Sequence, residues 1–142
     1  MVIFEKAVAA ATAALDYDFC ADEDVQEKPY PRVIQGVGFT GSAAELEAAI
    51  EIRIGNERLG RFWNTSSGGT APPQMLEDIK DVFLIVPANT MLQVIVVDAP
   101  ATNIVTLHLS IKEYSGRSRI GRALNRIARL ANDRDWETKK RL

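Results

Sequence analysis

A single cysteine, a single histidine and few aromatic residues stand out in this 142-residue sequence, and each scarcity removes a class of function. Cys20 alone cannot close an internal disulfide, which excludes a disulfide-stapled framework and favours a reducing cytoplasm. It has no Cys or His companion at metal spacing, so it reads as a buried or incidental thiol. His108 alternates outward on an expected strand, and a metal centre there would need acids brought from elsewhere; an exposed or hydrogen-bonded histidine is the simpler expectation. No serine stands with His and Asp in a triad order, and no cofactor motif is present. Long apolar runs are missing too. Val82–Val86 and Met91–Val97 are separated by Pro87 and Asn89 and fall well short of the roughly 20 residues a spanning helix needs. Glu5 precedes an Ala-rich rather than a Leu-rich run, which argues against a signal peptide.

What the chain does have is a division of charge. From Ser115 to Leu142 nine Lys or Arg face three acids, a net of +6, while residues 1–114 carry eight bases against sixteen acids, a net of −8. The near-neutral total of −2 hides two electrical ends. Such asymmetry points to a binding partner or to further copies of the chain. With 46% hydrophobic residues the chain can bury one core, and a single domain with extensions is expected.

Periodicity changes twice along the chain. Ala-rich residues 3–15, with Ile3, Phe4, Val8 and Leu15, fit a short helix, and Asp16–Pro31 reads as an acidic extended arm. From Val33 the period becomes two. In Ala44–Ile54, Leu46, Ala48, Ile50, Ile52 and Ile54 face one way and Glu45, Glu47, Glu51 and Arg53 the other, as in a half-buried strand. A turn at Gly55–Arg58 and a return strand through Trp63 complete a hairpin. Asn64–Pro73 reads as a surface loop. Val82–Val86 and Met91–Val97, joined through Pro87–Thr90, form a second hairpin or a strand with a corner, both members buried on two faces or nearly so. Ile104–Tyr114 alternates again, with Val105, Leu107, Leu109 and Ile111 on one face. Strands at short spacing without crossover helices predict an antiparallel β-sandwich over residues 32–114, preceded by a helix and acidic arm over 1–31.

At Ser115-Gly116 the period switches to 3.6, predicting a basic amphipathic helix near 118–132 and a tail to Leu142. On a helical wheel Ala123, Leu124, Ile127, Leu130 and Ala131 lie within about 80° of Ile120, with Arg122, Arg126 and Arg129 on the far side. A helix this short is marginal in water, so its apolar stripe needs cover from the sandwich, a neighbour or lipid.

The strand ending in Val86-Pro-Ala-Asn-Thr90, the second strand Met91–Val97 and the Thr/Leu-rich strand Ile104–Tyr114 resemble the jelly-roll β-sandwiches of bacteriophage and virus shell proteins. The resemblance covers residues 33–114 and rests on strand order and turn chemistry. It implies a non-catalytic capsid, vertex or decoration subunit, made in the host cytoplasm and residing in the virion. It also implies terminal arms that reach other copies and other virion proteins, and a basic arm that faces packaged nucleic acid or an inner membrane.

The contact residues expected are therefore Arg117, Arg119, Arg122, Arg126 and Arg129 with Ile120, Leu124, Ile127 and Trp136. Two alternatives remain open. The helix arginines can neutralise phosphates in a nucleic-acid-binding module, or lie on an anionic bilayer with Leu124 and Ile127 inserted; few aromatics accompany them, which disfavours base stacking. Trp63 and the loop after it can form a carbohydrate or peptide site, though packing against a neighbour is the simpler role for one tryptophan. Asp16, Asp18, Asp22 and Asp24 do not meet calcium-loop spacing, because Cys20 and Ala21 stand where a ligand and a glycine are needed, so no metal is expected. Gly36, Gly38 and Gly41 sit on a strand, where a bulge or close strand contact is expected rather than a phosphate cradle.

Overall fold

A computed structural model describes residues 1–65, 78–114, 119, 120, 122–124, 126 and 127. Seven strands form two antiparallel sheets: β1 (Val2–Val8), β2 (Arg32–Gly41), β3 (Ala49–Ile54), β4 (Glu57–Trp63), β5 (Ile79–Val86), β6 (Leu92–Asp98) and β7 (Val105–Glu113). One sheet has the order β1-β7-β2-β5 and the other β4-β3-β6. Their inner faces share one core, in which Ile34, Val37, Phe39, Leu107 and Leu109 of the first sheet join Ile50, Ile52, Val94 and Val96 of the second. The predicted antiparallel β-sandwich is thus the architecture of the described residues.

The second sheet continues beyond β6. Asp16 N–H donates to Val96 O, Val96 N–H to Tyr17 O and Phe19 N–H to Val94 O, each at 2.9 Å. Asp16–Phe19 thus adds a short antiparallel edge to the second sheet, centred on the bridge of Asp18 to Ile95. Further on, Leu92 N–H donates to Gln26 O and Asn89 N–H to Lys28 O, so the expected arm lies along β6 as far as residue 28. Phe19, Cys20 and Val25 enter the core from it.

Several expectations need correction. The N-terminal helix is absent: residues 2–8 are strand β1, registered from Val2 opposite Ile111 to Val8 opposite Val105. Alanine's helix preference is a weak prior beside seven cross-strand positions, and Val2, Phe4 and Val8 alternate inward to pack on the core. Helical character shrinks to one turn, with Thr12 and Ala13 N–H both donating to Ala9 O. Strand β3 starts at Ala49 rather than Ala44, and Leu46 is 70% exposed with a φ of 57°, outside the pleat. Of the two readings of Val82–Val97, the hairpin does not form and the corner does: β5 and β6 lie in different sheets, and the chain changes sheet at Pro87. β5 is an edge strand with Lys80, Asp81 and Phe83 exposed, so it is not buried on two faces. The β3–β4 hairpin forms as expected, with Gly55 at the positive φ of 61° that its two-residue turn requires.

The glycines of β2 serve close contacts. A bulge interrupts the register between Ile34 and Gly36. A methyl group on Gly41, whose φ is 112°, would meet Ile104 O at 2.1 Å.

Asn64 closes the crossing from β2 to β3. Its fully buried Oδ1 accepts from Glu47 and Ala48 N–H at 2.9 and 3.0 Å, and its Nδ2 donates to Gly41 O and Ala44 O at 2.8 and 2.7 Å. Replacing Asn64 by Ala strands four backbone groups, so Asn64→Ala should cost about 3 kcal/mol in urea unfolding with an unchanged slope; a loss below about 1 kcal/mol would contradict this role.

Candidate functional site

The residues expected to make contacts fall on a stretch whose described members, Arg119, Ile120, Arg122–Leu124, Arg126 and Ile127, have helical backbone. Arg117, Arg129 and Trp136, and the remainder of the predicted helix and tail, lie outside the described residues. At 100° per residue Arg119, Arg122 and Arg126 fall within about 60° of one another. Together with Ala123 they line a concavity of about 230 Å³. All three are exposed, and none has a carboxylate within 4.0 Å among the described residues. The apolar side is only part covered: Leu124 is 7% exposed, but Ile120 and Ile127 are 58% and 53% exposed. Among the described residues of this stretch Leu124 is buried, while the arginine row and the two isoleucines are exposed.

A surface of opposite sign lies along the edge of the second sheet. Asp16, Asp22, Asp24 and Glu27 are exposed and have no cation within 4.0 Å among the described residues, and Leu15 beside them is 63% exposed. The other acids of the segment are engaged. Asp18 Oδ1 accepts from Cys20 N–H at 2.9 Å and Val94 N–H at 3.1 Å, which fixes Asp18 on β6. Glu23 receives Lys6 Nζ at 2.9 Å, and this bond holds the Lys6 ammonium pKa above its usual value, partly against the cost of burial. Among the described residues no group of three or more His, Cys, Asp and Glu side chains could hold a metal ion.

Two buried polar groups stand apart from these surfaces. His108 is hydrogen-bonded on both ring nitrogens, Nδ1 to Glu5 Oε1 at 2.8 Å and Nε2 to Ser110 Oγ at 2.9 Å. Serine, imidazole and carboxylate are thereby brought into a row. Nothing in the sequence order signals it, because Glu5 lies 103 residues from His108 and reaches it only through the β1–β7 register. His108 is 5% exposed on the outer face of its sheet while Glu5 reaches solvent, so the row is a partly buried polar link between β1 and β7. Arg32, 1% exposed, donates Nη1 to Val25 O at 2.6 Å, while its Nε and Nη2 find no acceptor among the described residues. Burial lowers its pKa, with the Glu113 charge acting in the opposite direction. Trp63, the residue named for a ligand loop, ends β4 half-buried opposite Ala49; residues 66–77 after it lie outside the described residues.

The chain matches no protein-family model, no curated protein and no solved structure. Function must therefore be argued from the fold and these surfaces.

Cys20 yields the pH prediction. Burial first, and the Asp18 charge second, push its thiol up to about 12. Because the unfolded thiol ionises near 9, the stability this protonated group contributes is complete below that pH and is lost as pH rises toward 12. At pH 8 a thiol-specific disulfide reagent should leave the native chain unmodified and label one thiol after unfolding; rapid native labelling would contradict the burial of Cys20.

Proposed function

We propose that the chain is a structural subunit of a viral particle, a capsid, vertex or decoration protein of a bacteriophage, which assembles through its terminal segments and performs no catalysis. One observation carries this: the order in which strands pair. Counting Asp16–Phe19 as the second strand gives eight, and these pair first with last, second with seventh, third with sixth and fourth with fifth. The third and eighth, and the fourth and seventh, are also neighbours. That nested pairing is the connectivity of a jelly roll, an architecture frequent in viral shells and also used by lectins and cupins. It agrees with the resemblance seen over residues 33–114. Residence in the virion and contact with other virion proteins belong to the same proposal.

The shell role is preferred among users of this fold because the terminal segments carry the surfaces that lack partners. The basic stretch and the acidic edge have no ion-pair partner among the described residues, whereas no described feature singles out a small-molecule site. A second use, contact with nucleic acid, is favoured by the three unpaired arginines around one concavity, which suit phosphate oxygens without base stacking.

The test is assembly of the purified chain. Size-exclusion chromatography and electron microscopy should show closed particles or large regular oligomers at low ionic strength. A monodisperse monomer at high protein concentration would overturn the shell role.

A further inference from the structure

We infer that the helix row Arg119, Arg122 and Arg126 of one copy docks on the acidic edge Asp16, Asp22, Asp24 and Glu27 of a second copy. This rests on the shell reading and deepens it by naming the two surfaces that meet. Each surface is incomplete in the same way. Among the described residues, the helix has a cationic row with no carboxylate in reach and two exposed isoleucines; the edge has carboxylates with no cation in reach and an exposed Leu15. Opposite charge and exposed aliphatic area thus occur on both, and one contact satisfies both.

The other occupants of the helix fit less of what is seen. A nucleic acid or an anionic bilayer would pair the arginines but would be repelled by the carboxylates of a body whose first 114 residues carry −8. Insertion into a bilayer would need Leu124, which is already buried. Only a surface that is itself acidic answers the helix, and only a basic one answers the edge. A second copy supplies both.

The two patches are different, so the contact is head-to-tail: each copy donates a helix to one neighbour and an edge to another. Repeated, such a contact closes into a ring or continues as an open array according to its rotation. The acidic side is held in shape. Asp18 pins the edge strand to β6, and Lys6 bonded to Glu23 ties it to β1, so the free carboxylates project from a braced backbone. Exposed ion pairs are individually weak and screened by salt, which makes the contact reversible and dependent on several pairs at once.

The decisive experiment is a charge exchange read by sedimentation velocity. One variant carries Arg119→Glu, Arg122→Glu and Arg126→Glu; the other carries Asp22→Lys, Asp24→Lys and Glu27→Lys. The parent should associate at 50 mM NaCl and disperse in 1 M NaCl, where the screening length falls to about 3 Å. Each variant alone should associate at least about tenfold more weakly, and an equimolar mixture should recover association, because each reversed surface then meets its complement. Circular dichroism and melting confirm that each variant folds. Where a reversal unfolds the chain, Gln and Asn replacements at the same positions must weaken association for the inference to stand. Undiminished association of the single variants, a mixture of folded variants that fails to recover, or loss of parent association on nuclease treatment would overturn it. A parent that assembles while the exchange has no effect refutes these surfaces alone; a parent that never assembles refutes the shell reading as well.

Discussion

The alignment of residues 16–28 along β6 is the constraint on which the rest of this structure depends. Without it the second sheet has three strands, the core loses Phe19, Cys20 and Val25, and β6 presents a bare edge. One carboxylate oxygen fixes the alignment, since Asp18 Oδ1 takes N–H groups from its own segment and from β6. A buried or half-buried carboxylate satisfied by backbone donors is among the stronger polar contacts available to a chain without metal or disulfide. The segment also decides the electrostatics. With Asp18 and Glu23 engaged, Asp16, Asp22, Asp24 and Glu27 are left exposed along this segment.

The same economy appears wherever the chain changes sheet. Asn64 replaces regular ladder hydrogen bonds across the β2–β3 crossing with its own amide, accepting twice and donating twice. Arg32 stands near the end of the arm and ties Val25 O to the start of β2. A buried guanidinium with two unsatisfied nitrogens adds little net stability, because desolvation offsets most of what its single bond contributes. Its value is in holding the arm's backbone in one place, the office that His108 fills between β1 and β7.

Much of the fold was legible in the sequence, and the failures have physical causes. The alternation in Ile50-Glu-Ile-Arg-Ile54 and Val105–Ile111 is strong because one face of each strand meets the core, and both segments form as expected. At residues 2–8 local composition competes with long-range pairing: Ala7 and the alanines after it favour helix, while the partner that makes a strand is about 100 residues away. Leu46 continues the period of β3 by accident, and the positive φ that takes it out of the pleat has no signature at a leucine. The acidic arm was recognisable as extended, but its role as a strand was not, since Asp16–Phe19 is too short for a period to show. Of the residues expected to make contacts, helical spacing groups Arg122 and Arg126 with Arg129, and the structure sets Arg119 beside the first two. That Leu124 is buried while Ile120 and Ile127 are open does not follow from spacing, because the packing partner of a helix is a tertiary fact.

The proposed contact joins the basic helix of one copy to the acidic edge of another. Hydrogen–deuterium exchange tests it most directly, comparing the chain assembled at low ionic strength with the chain dispersed in high salt. Amides of residues 15–27 and 119–127 should gain protection together on assembly, while the outer edges of β4 and β5 exchange as before. Protection that appears along β4 or β5, with both named segments unchanged, would contradict the account.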